Sequence, residues 1–216
     1  MPLVDLSHTI RDGLVTYPGL PAPRITEHLS REASRERYAA GTEFHIAKIE
    51  LVANTGTYLD APSHRWADGA DLSGIALEKL AELPGIVADL PRGARSIAAR
   101  DLPDDVRGCA VLLRTGWSAH FATPRYFEPH PYLTADGAAA LVARGAALVG
   151  IDSLNIDDTA GGERPAHSLF LRAGIPIVEH LTNLAALPAR GFRFFAIPPK
   201  VAGMGTFPVR AFAAVP

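Results

Sequence analysis

The chain has 216 residues, 48% of them hydrophobic, 20% charged and 7% aromatic, which places it among globular proteins and away from disordered chains. Lys+Arg 21 against Asp+Glu 23 leave a net charge of -2, so there is no basic field for phosphate backbones or anionic lipid, and neither nucleic acid nor membrane is an expected partner. One cysteine, Cys109, cannot close an intrachain disulfide, and neither a leader-like N-terminus nor a run of about 20 apolar residues occurs, so the expectation is a cytoplasmic protein built as one domain over residues 1–216.

In chain order, the first segment with a distinct pattern is 24–43, where Arg31, Arg35 and Arg37 alternate with Glu27, Glu32 and Glu36, as on a solvated loop or helix face. From Ile46 the pattern has period two, with Ala47, Ile49 and Leu51 on one side and Lys48 and Glu50 on the other, which predicts a half-buried strand. Val111–Leu113 and Ala147–Ile151 are short apolar runs bounded by turn residues and read as buried strands. Between them a helix is expected from Thr134, a capping residue, to Arg144, with Gly145 as its left-handed stop. A second helix opens at Pro165 and ends at Gly174, which puts His167 in its first turn. Ile175–Glu179 contains Pro176, so it is an edge strand or a strand that starts after the proline, and Phe194–Ile197 is one more strand. Loops link the first strands and helices the later ones, so the fold class is α/β around a mixed sheet.

Chemistry concentrates in Asn54-Thr55-Gly56-Thr57-Tyr58-Leu59-Asp60-Ala61-Pro62-Ser63-His64. In extended chain, 54, 58 and 60 share a face, and the turn at Pro62 lets His64 fold back so that Asp60 and His64 offer an oxygen and a nitrogen to one divalent cation. The competing reading is a strand end capped by Asp60 with His64 on the surface. His167 and Glu179 form a second pair, because a carboxylate ending an apolar strand needs a partner. Either a metal supplies it, or Glu179 pairs with Arg172 and His167 is an ordinary helix residue. The acidic loop Asp152, Asp157, Asp158 reads as turn residues bonding their own backbone, and His8, His130 and His180 have no spaced partner.

These motifs resemble the cyclase family, which includes bacterial kynurenine formamidases and isatin hydrolases. Its signature His-x-Gly-Thr-His-x-Asp-x-Pro-x-His aligns with residues 54–64, and agreement continues through Asp5-Leu6-Ser7-His8, Leu113-Arg114-Thr115-Gly116-Trp117, Gly150-Ile151-Asp152-Ser153, Ala166-His167 and Ile177-Val178-Glu179. The resemblance implies a swivelling β/β/α-type domain and an oligomeric, metal-dependent hydrolase, a dimer or larger, acting on an amide, formamide or lactone bond of a small aromatic or cyclic molecule, as in tryptophan catabolism. It makes Asp60, His64, His167 and Glu179 metal-site residues, with His64 either ligand or general base. Asn54 and Tyr58 stand where the signature has histidines, which implies one zinc or manganese ion rather than two, and frees Tyr58 to donate to substrate or to a developing oxyanion. Asn54, Arg114 and Trp117 are the implied substrate contacts, with Trp117 lining an aromatic pocket. Two alternatives remain: a metal-free enzyme using Tyr58, Asp60 and His64 for cyclisation or dehydration, and a non-catalytic small-molecule binding protein.

Overall fold

The computed structural model describes residues 1–89 and 94–216. The strands are β1 (Leu3–Asp5), β2 (Arg24–Leu29), β3 (Ile46–Glu50), β4 (Tyr58–Asp60), β5 (Leu83–Asp89), β6 (Ser96–Ile97), β7 (Ala110–Arg114), β8 (Tyr132–Leu133), β9 (Leu148–Ile151), β10 (Ile177–Glu179), β11 (Arg190–Phe195), β12 (Thr206–Pro208) and β13 (Phe212–Ala214). A nine-stranded mixed sheet runs β1-β13-β11-β5-β7-β9-β10-β4-β12. Within it β5, β7, β9 and β10 are parallel neighbours, and the flanking pairs are antiparallel.

Both faces of this sheet are covered, and that explains why its strands read as continuous apolar runs rather than alternating ones. Leu112, Leu148, Val178 and Phe194 belong to the core on one face. Val111, Leu113, Val149, Ile151 and Ile177 belong to the core on the other, with Leu141 and Phe170 supplied by helices. Fully burying each such side chain contributes about 1.5–3 kcal/mol before chain entropy is set against it. The helices are α1 (Arg31–Arg35), α2 (Ala135–Arg144) and α3 (Pro165–Arg172). As the sequence indicates, the Thr134 side chain accepts from the Gly137 N–H at the start of α2, and Gly145 ends it at φ 79.

Two expectations change. The strand from Ile46 is not half-buried: β3 is exposed along its whole length and pairs with β2 in a separate two-stranded sheet. Its alternation is that of a hairpin whose apolar Ile25, Ile46 and Ile49 face solvent. The polar 24–43 stretch opens with the other strand of that hairpin, β2, and only then continues into the expected helix, α1. Of the two readings of Ile175–Glu179 the second holds: β10 starts after Pro176 and is interior, between β9 and β4, because the proline sits just outside the ladder and removes no bond from it.

The sheet also contains a junction between parallel and antiparallel pairing. The parallel run ends at β10, whose last residue is Glu179, and β4 joins it antiparallel, so the first residue of β4 meets the carboxyl end of β10.

Candidate active site

Strand register sets the floor of the site. Tyr58 lies opposite Glu179 on β10, and Asp60 lies opposite Thr206 on β12. Directly opposed residues share a face, as do residues two apart on β4, so Tyr58, Asp60, Glu179 and Thr206 converge. Tyr58 donates its hydroxyl to Glu179 Oε2 at 2.6 Å, and Thr206 Oγ1 lies 2.5 Å from Asp60 Oδ1. The short helical turn Pro62–His64 then folds His64 back, as the sequence indicates, until its Nε2 is 3.7 Å from Asp60 Oδ1. Gly205 makes room for that turn: a Cβ there would lie 2.5 Å from the His64 backbone nitrogen.

The hydroxyl of Thr206 also fixes the His64 ring. It has one proton, which the ionised Asp60 carboxylate must receive, so His64 Nδ1, 2.7 Å away, is the donor to Oγ1. That leaves the Nε2 lone pair free on the side of Asp60. His167, in the first turn of α3, is set in the same manner by Asp157, whose carboxylate accepts from the Ala166 N–H at 2.7 Å, the His167 N–H at 3.1 Å and His167 Nδ1 at 2.7 Å. One side chain thus caps the helix and chooses the tautomer, and His167 Nε2 is left 3.7 Å from both Asp60 Oδ2 and Glu179 Oε1.

Asp60 Oδ2 is buried with no hydrogen-bond partner. Ligand atoms of Asp60, His64 and His167 lie within 4.8 Å of one another. A carboxylate oxygen and two imidazole nitrogens with free lone pairs are a donor set suited to a divalent ion, and the unsatisfied oxygen is the atom such an ion would satisfy. Glu179 stands beside this cluster with Oε1 also accepting from the Ile156 N–H at 2.7 Å.

The electrostatics agree. Burial alone would lower His167, but Glu179, Asp157 and Asp60 outweigh it and lift the imidazole to about 10. Burial, reinforced by Asp60 and opposed by His167, raises Glu179 to about 7. Burial also raises Asp60, but His167, His64 and Thr206 overcome it and hold that carboxyl below its ordinary value. In the absence of a metal, protons on His167 and Glu179 supply the positive charge that the buried carboxylates demand. Both folded-state values exceed the ordinary 6.5 and 4.5, so each proton stabilises the fold at low pH; the Glu179 part is lost as pH rises through about 7 and the His167 part through about 10. Metal-free protein is therefore expected to melt at falling temperature from pH 6.5 to 10, and His167→Gln to flatten that decline in calorimetry. An equal decline in both proteins would contradict the assignment.

The cleft above these groups has a volume of about 330 Å³ and is walled by Tyr17, Pro18, Gly19, Leu20, Asn54 and Asn155. A cleft of about 380 Å³ beside Trp66 is lined by side chains already engaged, including Lys79 on the Gly174 carbonyl and Arg172 on Asp68. Arg172 is therefore not the partner of Glu179.

Among the expected substrate contacts, Asn54 lines the cleft, but Arg114 and Trp117 do not. Arg114 makes a bidentate pair with Asp89 at 2.5 and 2.8 Å, and the Trp117 indole N–H donates to the Tyr126 carbonyl at 3.1 Å. Tyr58 is not a free donor either, since its proton is engaged by Glu179. Sequence reasoning passed over Thr206 and the Tyr17–Leu20 segment, which only strand register and folding bring here, and treated Asp157 as a turn residue. The ten-residue separation of Asp157 from His167 across a helix start was the one available signal.

Two carboxylates and two oriented imidazoles gathered at this strand junction beside a small cleft are the donor set that a metallohydrolase uses. The chain belongs to the cyclase family, whose family model matches residues 4–158. It is 27% identical over 210 residues to a kynurenine formamidase of Bacillus cereus (strain ATCC 14579), covering 96% of this chain and 95% of that one. It is 27% identical over 215 residues to a kynurenine formamidase of Salinibacter ruber (strain DSM 13855), covering 98% and 96%. Among solved structures, isatin hydrolase A from Labrenzia aggregata bound to benzyl benzoate superposes with TM-score 0.83 at 25% identity, covering 99% of this chain and 93% of that one. A protein described as a potential metal-dependent hydrolase with cyclase activity superposes with TM-score 0.79 at 27% identity over 98% and 96%. The mixed α/β architecture expected from the sequence is the fold these neighbours share.

Proposed function

We propose that this protein is a metal-dependent hydrolase that opens an amide, formamide or lactone bond in a small aromatic or cyclic substrate, with one zinc or manganese ion held by Asp60, His64 and His167 and completed by Glu179. The observation that carries this reading is Asp60 Oδ2, a fully buried carboxylate oxygen without a donor, facing two imidazoles whose other nitrogens are tied down. Leaving such an oxygen unsatisfied is costly, and a cation offsets that cost. A divalent ion in this position supplies Lewis acidity, polarising a carbonyl and lowering the pKa of a water.

The chain's own residues do the rest. Thr206 and Asp157 hold the two rings so that each presents Nε2 to the site. Asn155 lines the cleft with its Oδ1 engaged by the Asp157 N–H at 2.9 Å, so its amide N–H groups are the donors for a carbonyl oxygen that gains charge. Asn54 and Tyr17 orient the remainder of the substrate. His64 acts as ligand in this account rather than as a free base. The metal-free alternative loses support at Tyr58, whose proton is committed to Glu179 and is not available as the acid opposite the free Nε2 of His64.

Formamides of aromatic amines come first among substrates because the relatives are named kynurenine formamidase, and a place in tryptophan catabolism rests on the same ground. Cyclic amides come next, from the isatin hydrolase neighbour. Metal-loaded protein should turn over members of a panel of N-formyl aromatic amines, isatin-like amides and aryl lactones, followed by absorbance. No turnover of any of them would overturn the reading. We also propose a homo-oligomer, with the exposed Ile25, Ile46 and Ile49 of the β2–β3 hairpin as its contact surface.

A further inference from the structure

Behind Glu179 lies a buried line of side chains that the chemistry above does not use. Glu179 Oε2 accepts from Tyr58, whose oxygen is 3.2 Å from His180 Nε2, and His180 Nδ1 is 2.8 Å from the hydroxyl of Tyr126. All of these residues are buried, at 0–2% exposure, so water cannot take over any of the bonds. His180 is also held at φ 56, a left-handed conformation that a residue with a Cβ rarely adopts, which marks its placement as imposed by the surroundings.

The proton positions follow from counting. With an ion at the site Glu179 is ionised and can only accept, so the Tyr58 proton points at it. The Tyr58 oxygen then has no proton left for His180 Nε2, 3.2 Å away, so that nitrogen is the donor, beside the Asn54 amide, which also donates to this oxygen. A neutral His180 protonated at Nε2 has a bare Nδ1, and the Tyr126 hydroxyl is its donor. Every member has one direction open to it, and the direction ends on Glu179.

We propose that Tyr126 and His180 are positioning residues that lock the Tyr58 proton onto Glu179 Oε2 and so leave this carboxylate one oxygen, Oε1, to offer an ion. The inference rests on the metal-site reading above and deepens it: the line of neutral groups stands where a second cation would otherwise be needed to balance Oε2, and the site is built for one ion. Tyr58 thereby does for Glu179 what Asp157 does for His167, and His180 and Tyr126 act one and two hydrogen bonds further out. Removing an outer partner of this kind lowers metal affinity by about 10- to 100-fold.

The test begins with the unaltered protein. Ring nitrogen shifts of His180, measured by NMR on the metal-free and the zinc-loaded chain, should show the proton on Nε2 in the loaded form. Tyr126→Phe, which keeps the ring and its packing, should weaken zinc binding about tenfold in chelator competition while the chain keeps its wild-type fold by circular dichroism. Tyr58→Phe should weaken it at least as much. A proton on Nδ1 of His180 in the zinc-loaded protein, or zinc affinity within twofold of wild type in both variants, would overturn the proposal. Failure of the wild-type chain to bind zinc or manganese at all would overturn both the proposal and the metal-site reading, whereas metal binding without turnover of any substrate would count against the hydrolase alone and leave the hydrogen-bond line to be decided by the two variants.

Discussion

His167→Ala should leave the protein folded and without its ion. The imidazole is one of three ligand atoms that lie within 4.8 Å of one another, and it is the only one contributed by the helical layer rather than by β4 and the turn after it. Its loss leaves Asp60 and His64 on neighbouring positions with no opposing nitrogen. Disturbing a residue that merely orients a ligand costs about 10- to 100-fold in metal affinity, so removing the ligand itself should exceed about 100-fold. Plasma emission spectrometry after gel filtration should find about one ion per wild-type chain and close to none in the variant. Unchanged metal content in His167→Ala would show that the ion sits elsewhere.

The second large effect is expected at Asp157. Its carboxylate holds the His167 ring through Nδ1 and also accepts from two backbone N–H groups at the start of α3, so Asp157→Ala removes the orientation and the cap together. Metal affinity should fall about 10- to 100-fold, and stability should fall by about 0.5–2 kcal/mol from the lost cap alone. Asp157→Asn separates the two, because an amide oxygen still accepts from one N–H but carries no charge to favour a metal-bearing imidazole. It should keep most of the stability and lose a larger share of the affinity. Affinity equal to wild type in both variants would contradict the role.

Much of the helical layer was legible because helix signals are local. Thr134, Gly145 and Pro165 act on the backbone within one turn, and α2 and α3 begin and end close to where those residues imply. The interior strands were legible too, since Val111–Leu113 and Leu148–Ile151 are apolar on both faces and can only sit between two layers. The period-two pattern at Ile46 misled, because alternation reports a strand with two unlike faces and not which face is covered; here neither is. At the site, the four proposed metal ligands came from motif resemblance, and Asp60 with His64 also from their spacing across the turn at Pro62. Thr206 is 146 residues from Asp60 and meets it only through the β12–β4 register, so no local signal marks it. His180 was likewise invisible, since its partners Tyr58 and Tyr126 are 122 and 54 residues away. Arg114, implied as a substrate contact, is instead paired with Asp89 on the adjacent β5.

The same geometry explains why Asn54 and Tyr58 change the site rather than destroy it. Both are near the cleft, yet neither belongs to the cluster of converging ligand atoms, which lies on the His64 and His167 side of Asp60. Burial, with Glu179 and Asp60 close by, pushes the Tyr58 phenol well above its ordinary pKa, so it stays protonated and serves as a donor rather than as an anionic ligand. Burial likewise takes His180 down to about 3, which keeps that ring neutral.

The most direct measurement is metal stoichiometry and turnover on one preparation: metal per chain, and the rate with an N-formyl aromatic amine or isatin-like amide, before chelation, after it, and after zinc or manganese is returned. The account predicts one ion per chain, loss of turnover with loss of the ion, and recovery as one equivalent is restored. Two tightly held ions per chain, or turnover that survives complete removal of metal, would contradict it.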